Sequence, residues 1–386
     1  MNNSIKNIAF YFPQFHATPE NSNWWGKGFT DWDLVKKASK ITPQHNQPRI
    51  PLDDYFYDLS QASSISWQVN LAEKYNLGGF NFYHYWFDGK LILEKPMELF
   101  LENKEHNLDF CITWANETWT KQWVGSKEVL IEQKHINDKN IWRSHFYYLV
   151  KFFKDPRYIK INNKPVFCVY RPELNKSMLE YIYFFNEEAK NNGFEGIYFI
   201  GMKSYDLVNE NEFFKGFDAK LKFQPRYLFN NKFLQRNSGI SFLEKFARVL
   251  PEYLQLIIGR VKFYFENYKT IDYEEFCEEL ILQAMLEKDE TVMQTIIVDW
   301  DNTPRYGKKS KFFTGVTPLL FKKYLIKLNE VEANKGNPFV FINAWNEWSE
   351  GAYLEPDKKN KFAVLEAIKE AHEEINKNSV SLGIQR

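Results

Sequence analysis

Eight short apolar runs separated by helical stretches predict a single (β/α)8 barrel, a TIM barrel, for this 386-residue chain. Two observations carry that expectation. The runs are almost continuously apolar, as strands buried on both faces of a parallel sheet are. The gaps between most of them hold a helix, and eight strand–helix units in a row close a sheet that then has no edge. An open doubly wound sheet is the alternative.

Taken in order, the predicted strands are Ile8–Phe15, Gly79–Phe87, Phe110–Ala115, Pro165–Tyr170, Gly196–Met202, Ala219–Phe223, Thr295–Trp300 and Phe339–Ala344. The intervening helices are predicted over Ser64–Tyr75, Lys95–Lys104, Lys139–Lys154, Met178–Asn191, Pro318–Ala333 and Lys361–Asn376. Two segments exceed the simple barrel. Trp24–Asp58 is a long loop after the first strand, placed at the C-terminal rim where barrels keep their chemistry. Tyr227–Lys288 reads as an extra helical insertion. Its basic, amphipathic stretch Phe242–Phe265 suits an outer barrel helix better than a membrane-surface helix. No repeat and no low-complexity linker divides the chain, so residues 1–386 read as one domain.

Composition narrows the function. Hydrophobic residues make up 44% of the chain, enough for a large core. Fifty Lys plus Arg balance fifty Asp plus Glu, which gives no electrostatic case for nucleic acid or an anionic membrane. Cys111, Cys168 and Cys277 are scattered and read as buried thiols. The first residues, MNNSIKNIAFYF, are too polar for a signal peptide, and no apolar run approaches the roughly 20 residues that span a bilayer. The expectation is a soluble, cytoplasmic protein with no transmembrane segment. The aromatic content is high: 35 Phe, 22 Tyr and 12 Trp, or 18%. Many tryptophans stand beside polar residues, as suits the apolar face of a sugar ringed by hydroxyls.

The strand ends carry the chemistry. The last strand runs into Asn343-Ala-Trp345-Asn346-Glu347-Trp348-Ser-Glu350-Gly-Ala-Tyr353. Glu347 and Glu350 lie three apart, a spacing that brings both carboxyls toward one pocket on a turn. Making or breaking a glycosidic bond needs one protonated and one ionised carboxyl. Burial against Trp345 and Trp348 would separate their proton affinities, with Asn346 as a donor to the ionised one. The third strand ends in Trp114-Ala-Asn116-Glu117-Thr-Trp119; Glu117 is a rival acid, read first as a sugar-binding group. Tyr83, His84, Tyr85 and Trp86 at the second strand are candidates to line the pocket. So are Tyr11, Gln14 and His16 after the first, and Trp25 in the long loop. The seventh strand ends in Asp299-Trp-Asp301-Asn302-Thr-Pro-Arg305. Asp301, Asn302 and Arg305 are read as sugar or acceptor contacts. As an Asp-x-Asp, Asp299 and Asp301 also match, weakly, the divalent-ion site of nucleotide-sugar transferases. No other metal signature and no glycine-rich phosphate loop occurs.

These blocks, with Tyr11-Phe-Pro-Gln-Phe-His16, Trp24-Trp-Gly-Lys-Gly-Phe-Thr-Asp-Trp32, Gln47-Pro-Arg-Ile-Pro51 and Phe82-Tyr-His-Tyr-Trp-Phe87, resemble the WbsX-type, glycoside hydrolase family 99-like proteins of bacterial surface-polysaccharide gene clusters. The resemblance implies a (β/α)8 fold related to endo-α-mannosidases, whose Glu-Trp-x-Glu motif is matched by Glu347-Trp348-Ser349-Glu350. It implies that Glu347 activates the sugar's own 2-hydroxyl and Glu350 serves as acid, then base, with no metal, nucleotide or other cofactor. The expected partner is an oligosaccharide or polysaccharide, with a lipid-linked glycan at the inner membrane surface as a further option. Hydrolysis and transfer both stay open, as does a sugar-nucleotide transferase using Asp299 and Asp301. A non-catalytic glycan-binding barrel is the third reading.

Overall fold

The computed structural model describes residues 5–121, 128–231 and 267–383, with side chains as far as residue 377. The basic stretch Phe242–Phe265 lies outside the described residues. Eight parallel strands form the barrel: β1 (Lys6–Tyr11), β2 (Gly79–Phe87), β3 (Phe110–Trp114), β4 (Lys164–Val169), β5 (Tyr198–Lys203), β6 (Ala219–Lys222), β7 (Val292–Ile297) and β8 (Phe339–Asn343). Each pairs with the next in sequence, and β8 returns to β1 with Ile8 opposite Phe341, so the sheet closes. Nearly every strand residue is buried on both sides, which is why these runs are apolar without alternation.

The helices α1 (Ala62–Lys74), α2 (Lys95–Glu102), α3 (Lys139–Phe153), α4 (Met178–Asn191), α5 (Tyr273–Leu286), α6 (Pro318–Asn334) and α7 (Ala363–Gly383) pack outside the strands. Only the short helix Glu210–Phe213 separates β5 from β6. Thr317 starts α6 by accepting from the Leu320 amide at 3.2 Å, with Pro318 at the first helical position. The inward faces of α3, Trp142, His145, Phe146, Leu149, Phe152 and Phe153, are all buried. Each such large apolar side chain contributes roughly 1.5–3 kcal/mol.

Two predicted strands are shifted. β1 stops at Tyr11 because the following residues, including Pro13 with no amide proton, leave the sheet. β7 spans Val292–Ile297, and Val298–Trp300 already belong to the mouth of the barrel. The segment after β1 is, with the one following β6, one of two long excursions. It holds the helices Pro19–Trp25 and Asp31–Lys37 before the chain reaches α1. In the insertion between β6 and β7, the described parts are the helix Arg226–Asn231, a short strand Lys269–Asp272 and α5.

Candidate active site at the barrel mouth

After β8 the chain makes one tight reversal. Asn346 and Glu347 pair antiparallel with Tyr353 and Ala352, and the turn between them is a single 3-10 turn, Trp348–Glu350. The turn seats because residue 351 is glycine. Gly351 has φ +66°, and a Cβ there would stand 2.8 Å from the Asp301 Cβ and 2.9 Å from its amide nitrogen. That amide donates to the Glu350 carbonyl at 2.7 Å. Asp301 is itself fixed by His45 Nε2 at 2.9 Å, Gln47 Nε2 at 2.6 Å and the Thr303 amide at 3.0 Å. Burial alone would raise its carboxyl, but these donors and Arg49 hold it well below the usual carboxylate range. Arg49 donates to Asp299 at 2.7 Å and to the Gly351 carbonyl at 3.2 Å. Asp299 and Asp301 therefore clamp the turn of β8.

On this platform both glutamates meet one guanidinium. Arg305 Nη1 donates to Glu350 Oε1 and Nη2 donates to Glu347 Oε1 at 3.1 Å. Nη2 also reaches Asp31 Oδ2 at 3.3 Å, and Ser349 Oγ lies 2.7 Å from both Asp31 Oδ2 and Glu347 Oε1. Asp31 comes from the first turn of the helix Asp31–Lys37, where Asp33 accepts from the Thr30 amide at 3.0 Å and fixes the helix start. Burial pushes Glu347 up to about 8, against Arg305 and with the charges of Glu350 and Asp31 behind it. Burial likewise raises Asp31, with Arg305 opposing. Arg305, although buried, is held more firmly protonated by the three carboxylates.

Rings surround the pair. Phe12 lies under Arg305 at 5.8 Å, and Tyr83 and Tyr85 on β2 face Glu347. Gln14 hydrogen-bonds the Tyr85 hydroxyl. Phe10, stacked on Tyr83 at 5.4 Å, lies within the barrel below. Trp119 meets Tyr85 at 4.9 Å and Trp24 at 5.8 Å; the Lys121 ammonium stands 5.9 Å over the ring of Trp25, which lies beside Phe29. Across the mouth, Arg171 pairs with Glu117 at 2.5 Å and with Glu173. The Arg226 guanidinium stands 5.8 Å over the Tyr170 ring and, among the described residues, enters no ion pair.

The geometry corrects several of the expected pocket residues. On β2 and β3, side chains alternate, and His84, Trp86 and Trp114 point outward under α3 and α4. His84 Nε2 meets His145 Nε2 at 2.9 Å, Trp86 stacks on His145 at 4.7 Å, and Trp114 stacks on Tyr181 at 5.2 Å. Tyr11 also faces outward and donates to Gln68 at 2.5 Å. Trp345 and Trp348 are 0% and 1% exposed, so neither walls the cavity. Trp348 stacks on Tyr353 at 3.8 Å and donates to Glu355 at 2.6 Å, while the Tyr353 hydroxyl donates to Asp357 at 2.6 Å. Asn343 donates to the Gln224 carbonyl, and Asn346 clamps both the amide and carbonyl of Phe12. Asn116 clamps the Arg171 backbone in the same manner. Asn302 accepts from the Lys311 amide, and with Asp301 it shapes the loop rather than the cavity. His16 is buried, its affinity for a proton lowered chiefly by that burial against the pull of Asp58. Sequence reasoning did not single out Asp31, Ser349, Tyr170, Arg171 or Arg226; the Thr30-Asp31-Trp32 stretch after two tryptophans was the available signal. The three cysteines are buried free thiols. Among the described residues no helix is long and apolar enough to cross a membrane.

Comparison with known proteins agrees with this architecture. A structure of the family-99 endo-alpha-mannosidase from Bacteroides thetaiotaomicron in complex with bis-tris-propane superposes with a TM-score of 0.54 at 14% identity, covering 97% of this chain and 98% of that one. A glycoside hydrolase-like protein superposes at 0.56 with 12% identity, covering 96% and 94%. Both likenesses are of fold. In sequence, the uncharacterized protein WxcX of Xanthomonas campestris pv. campestris is 32% identical over 368 residues. The match takes in 94% of this chain and 49% of WxcX, so the chain spans about half the length of the curated relatives it matches. The family model for glycosyltransferase WbsX matches residues 7–368, and the chain belongs to that family.

Proposed function

We propose that this chain is a retaining, carbohydrate-active enzyme that cleaves or transfers an α-linked, mannose-like glycosidic bond of a bacterial surface polysaccharide. One observation carries the reading: Glu347 and Glu350, from one turn at the end of β8, converge on the single guanidinium of Arg305 in a ring-lined mouth. Glu347 takes the proton of the sugar's 2-hydroxyl while that oxygen attacks the anomeric carbon, and Glu350 protonates the departing oxygen. The product of this step is a 1,2-anhydro sugar. Glu350 then removes a proton from the incoming hydroxyl, which opens the three-membered ring, and Glu347 returns its proton to the 2-oxygen. Water as the incoming hydroxyl gives hydrolysis; a sugar hydroxyl gives transfer.

The family description favours transfer. A sugar-nucleotide donor held through a metal at Asp299 and Asp301 draws no support from their geometry, because Arg49, His45, Gln47 and Thr303 already occupy their oxygens. The test is turnover on a panel of α-linked glycans, with and without sugar nucleotides. E350Q should lower kcat by about 10²–10⁴-fold with glycan affinity retained. A substrate lacking the 2-hydroxyl should bind and not react. Full turnover of that substrate would rule out the assigned role of Glu347.

A further inference from the structure

The proton count around Ser349 does not close if both neighbouring carboxyls are ionised. Ser349 Oγ stands 2.7 Å from Asp31 Oδ2 and 2.7 Å from Glu347 Oε1. A serine hydroxyl carries one proton and can donate to only one of them. The other carboxyl oxygen would then face a serine lone pair at hydrogen-bond distance, with a negative charge on each side and little water to screen it. Asp31, Ser349 and Glu347 are 2%, 0% and 8% exposed. The remaining charge is limited. Arg305 approaches the same two oxygens from the segment after β7, and it also serves Glu350. Tyr83 and Tyr85 face the group from β2, and burial keeps both as neutral phenols. Glu350, from the turn itself, takes the other guanidinium nitrogen of Arg305.

We propose that Asp31 and Glu347 hold one proton in common and pass it through the Ser349 hydroxyl. In one form the Asp31 carboxylic acid donates to Ser349 Oγ, and Ser349 donates to the Glu347 carboxylate. In the other the order is reversed. Interconversion breaks and makes one O–H bond at Ser349 and moves one negative charge between the two carboxyls, with nothing gained or lost. The direction of both proton affinities agrees: burial raises Asp31 and Glu347 together. The consequence for catalysis rests on the reading given above. With the proton on Asp31, Glu347 is ionised and ready to take the 2-hydroxyl proton. Asp31 is then a positioning residue, distant in the chain, that decides which form of Glu347 the sugar meets.

Infrared difference spectroscopy of the intact protein without glycan tests the shared proton directly, independently of turnover. Asp31→Asn and Glu347→Gln each supply an amide N–H that donates to Ser349 Oγ, so each should leave the remaining carboxyl ionised. The wild-type-minus-D31N and wild-type-minus-E347Q spectra at neutral pH should therefore both contain a protonated-carboxyl carbonyl band. Buried Glu355, Glu332 and Asp299 are common to all three proteins and cancel. A band in only one difference spectrum means that the proton is private to the residue removed there, and the proposal fails. A band in neither means that the pair carries no proton, and a wild-type-minus-D31N/E347Q band with the summed area of the two single-variant bands means two private protons; either outcome sinks the proposal, which requires all three bands to have the area of one carboxyl. The catalytic use has its own readout. D31N should change the pH profile of kcat, whereas a purely structural loss would lower kcat evenly at every pH. If both infrared bands appear and no glycan is turned over, the shared proton stands and the enzymatic reading falls.

Discussion

Among the described residues, Arg305 is the one cation that touches Asp31, Glu347 and Glu350, so its removal leaves buried carboxylates without compensation. Breaking such a buried pair from one side costs about 3–5 kcal/mol. Arg305→Met should accordingly lose that much stability in urea titration at neutral pH, along with activity. Adding Glu347→Gln should restore part of the stability, because the neutral amide removes one of the uncompensated charges. Equal urea midpoints for R305M and wild type would contradict the pairing. Arg226 gives the opposite expectation. Its guanidinium lies over Tyr170 in the mouth and joins no ion pair among the described residues. Arg226→Met should raise the glycan KM several-fold while the urea midpoint stays put. The tryptophans teach a related lesson. Trp345 and Trp348 flank the glutamates in sequence, yet their backbone positions send both rings into the core beneath the turn. Adjacency to the glutamates in the chain therefore does not place these rings on the cavity wall.

At the scale of single elements, the turn after β8 depends on one contact between two loops. Gly351→Ala would add a Cβ 2.8 Å from Asp301 Cβ, at a positive φ that alanine adopts only with strain. A loss of about 1–3 kcal/mol is expected. Activity should fall further than stability, since the displaced turn carries both glutamates; thermal melting and kcat measured on the same preparation would separate the two. β2 marks where pattern reading stopped short. The run Gly79–Phe87 is apolar enough to be identified as a strand, and all but one of its residues are buried. Its two-residue alternation was also readable, and it sorts Asn81, Tyr83 and Tyr85 to the barrel side and Phe82, His84 and Trp86 to the helix side. What could not be read is that both sides are aromatic for different reasons. One faces Glu347, and the other packs against His145 on α3. Continuous burial hides this distinction, because each face carries rings together with one buried polar residue, Asn81 on one and His84 on the other. The eight strands were legible for the same reason that the site was not.

For the whole molecule, long-range contacts decide both the site and its response to pH. Asp31 and Ser349 are 318 positions apart and meet only because the segment after β1 folds across the end of β8. No local spacing encodes that meeting, so the third carboxyl was invisible in the sequence even though the Glu347–Glu350 motif was plain. The same burial sets two opposing pH dependences. Glu347 and Glu355 are raised by burial from an ordinary 4.5 to about 8 and about 7. The folded protein thus binds these protons more tightly than the unfolded chain. Their contribution is complete below about 4.5 and declines as pH rises to about 8. His84 moves the other way: burial and the nearby charge of Lys151 lower it from 6.5 to about 3, and burial lowers its neighbour His145 as well. Here the unfolded chain binds the proton more tightly, so stability falls as pH drops from about 6.5 toward about 3. Asp155, held down by Arg157 and Lys104 against its own burial, adds to the acid-side loss below 3.8. A urea-denaturation series should show greatest stability between about pH 4.5 and 6.5, where the two dependences oppose each other, declining on both sides. In E347Q the decline on the alkaline side should be shallower with the acid side unchanged. In His84→Gln the acid side should become shallower and the alkaline side should not move. A series in which E347Q alters the acid limb instead would mean that Glu347 is ionised throughout.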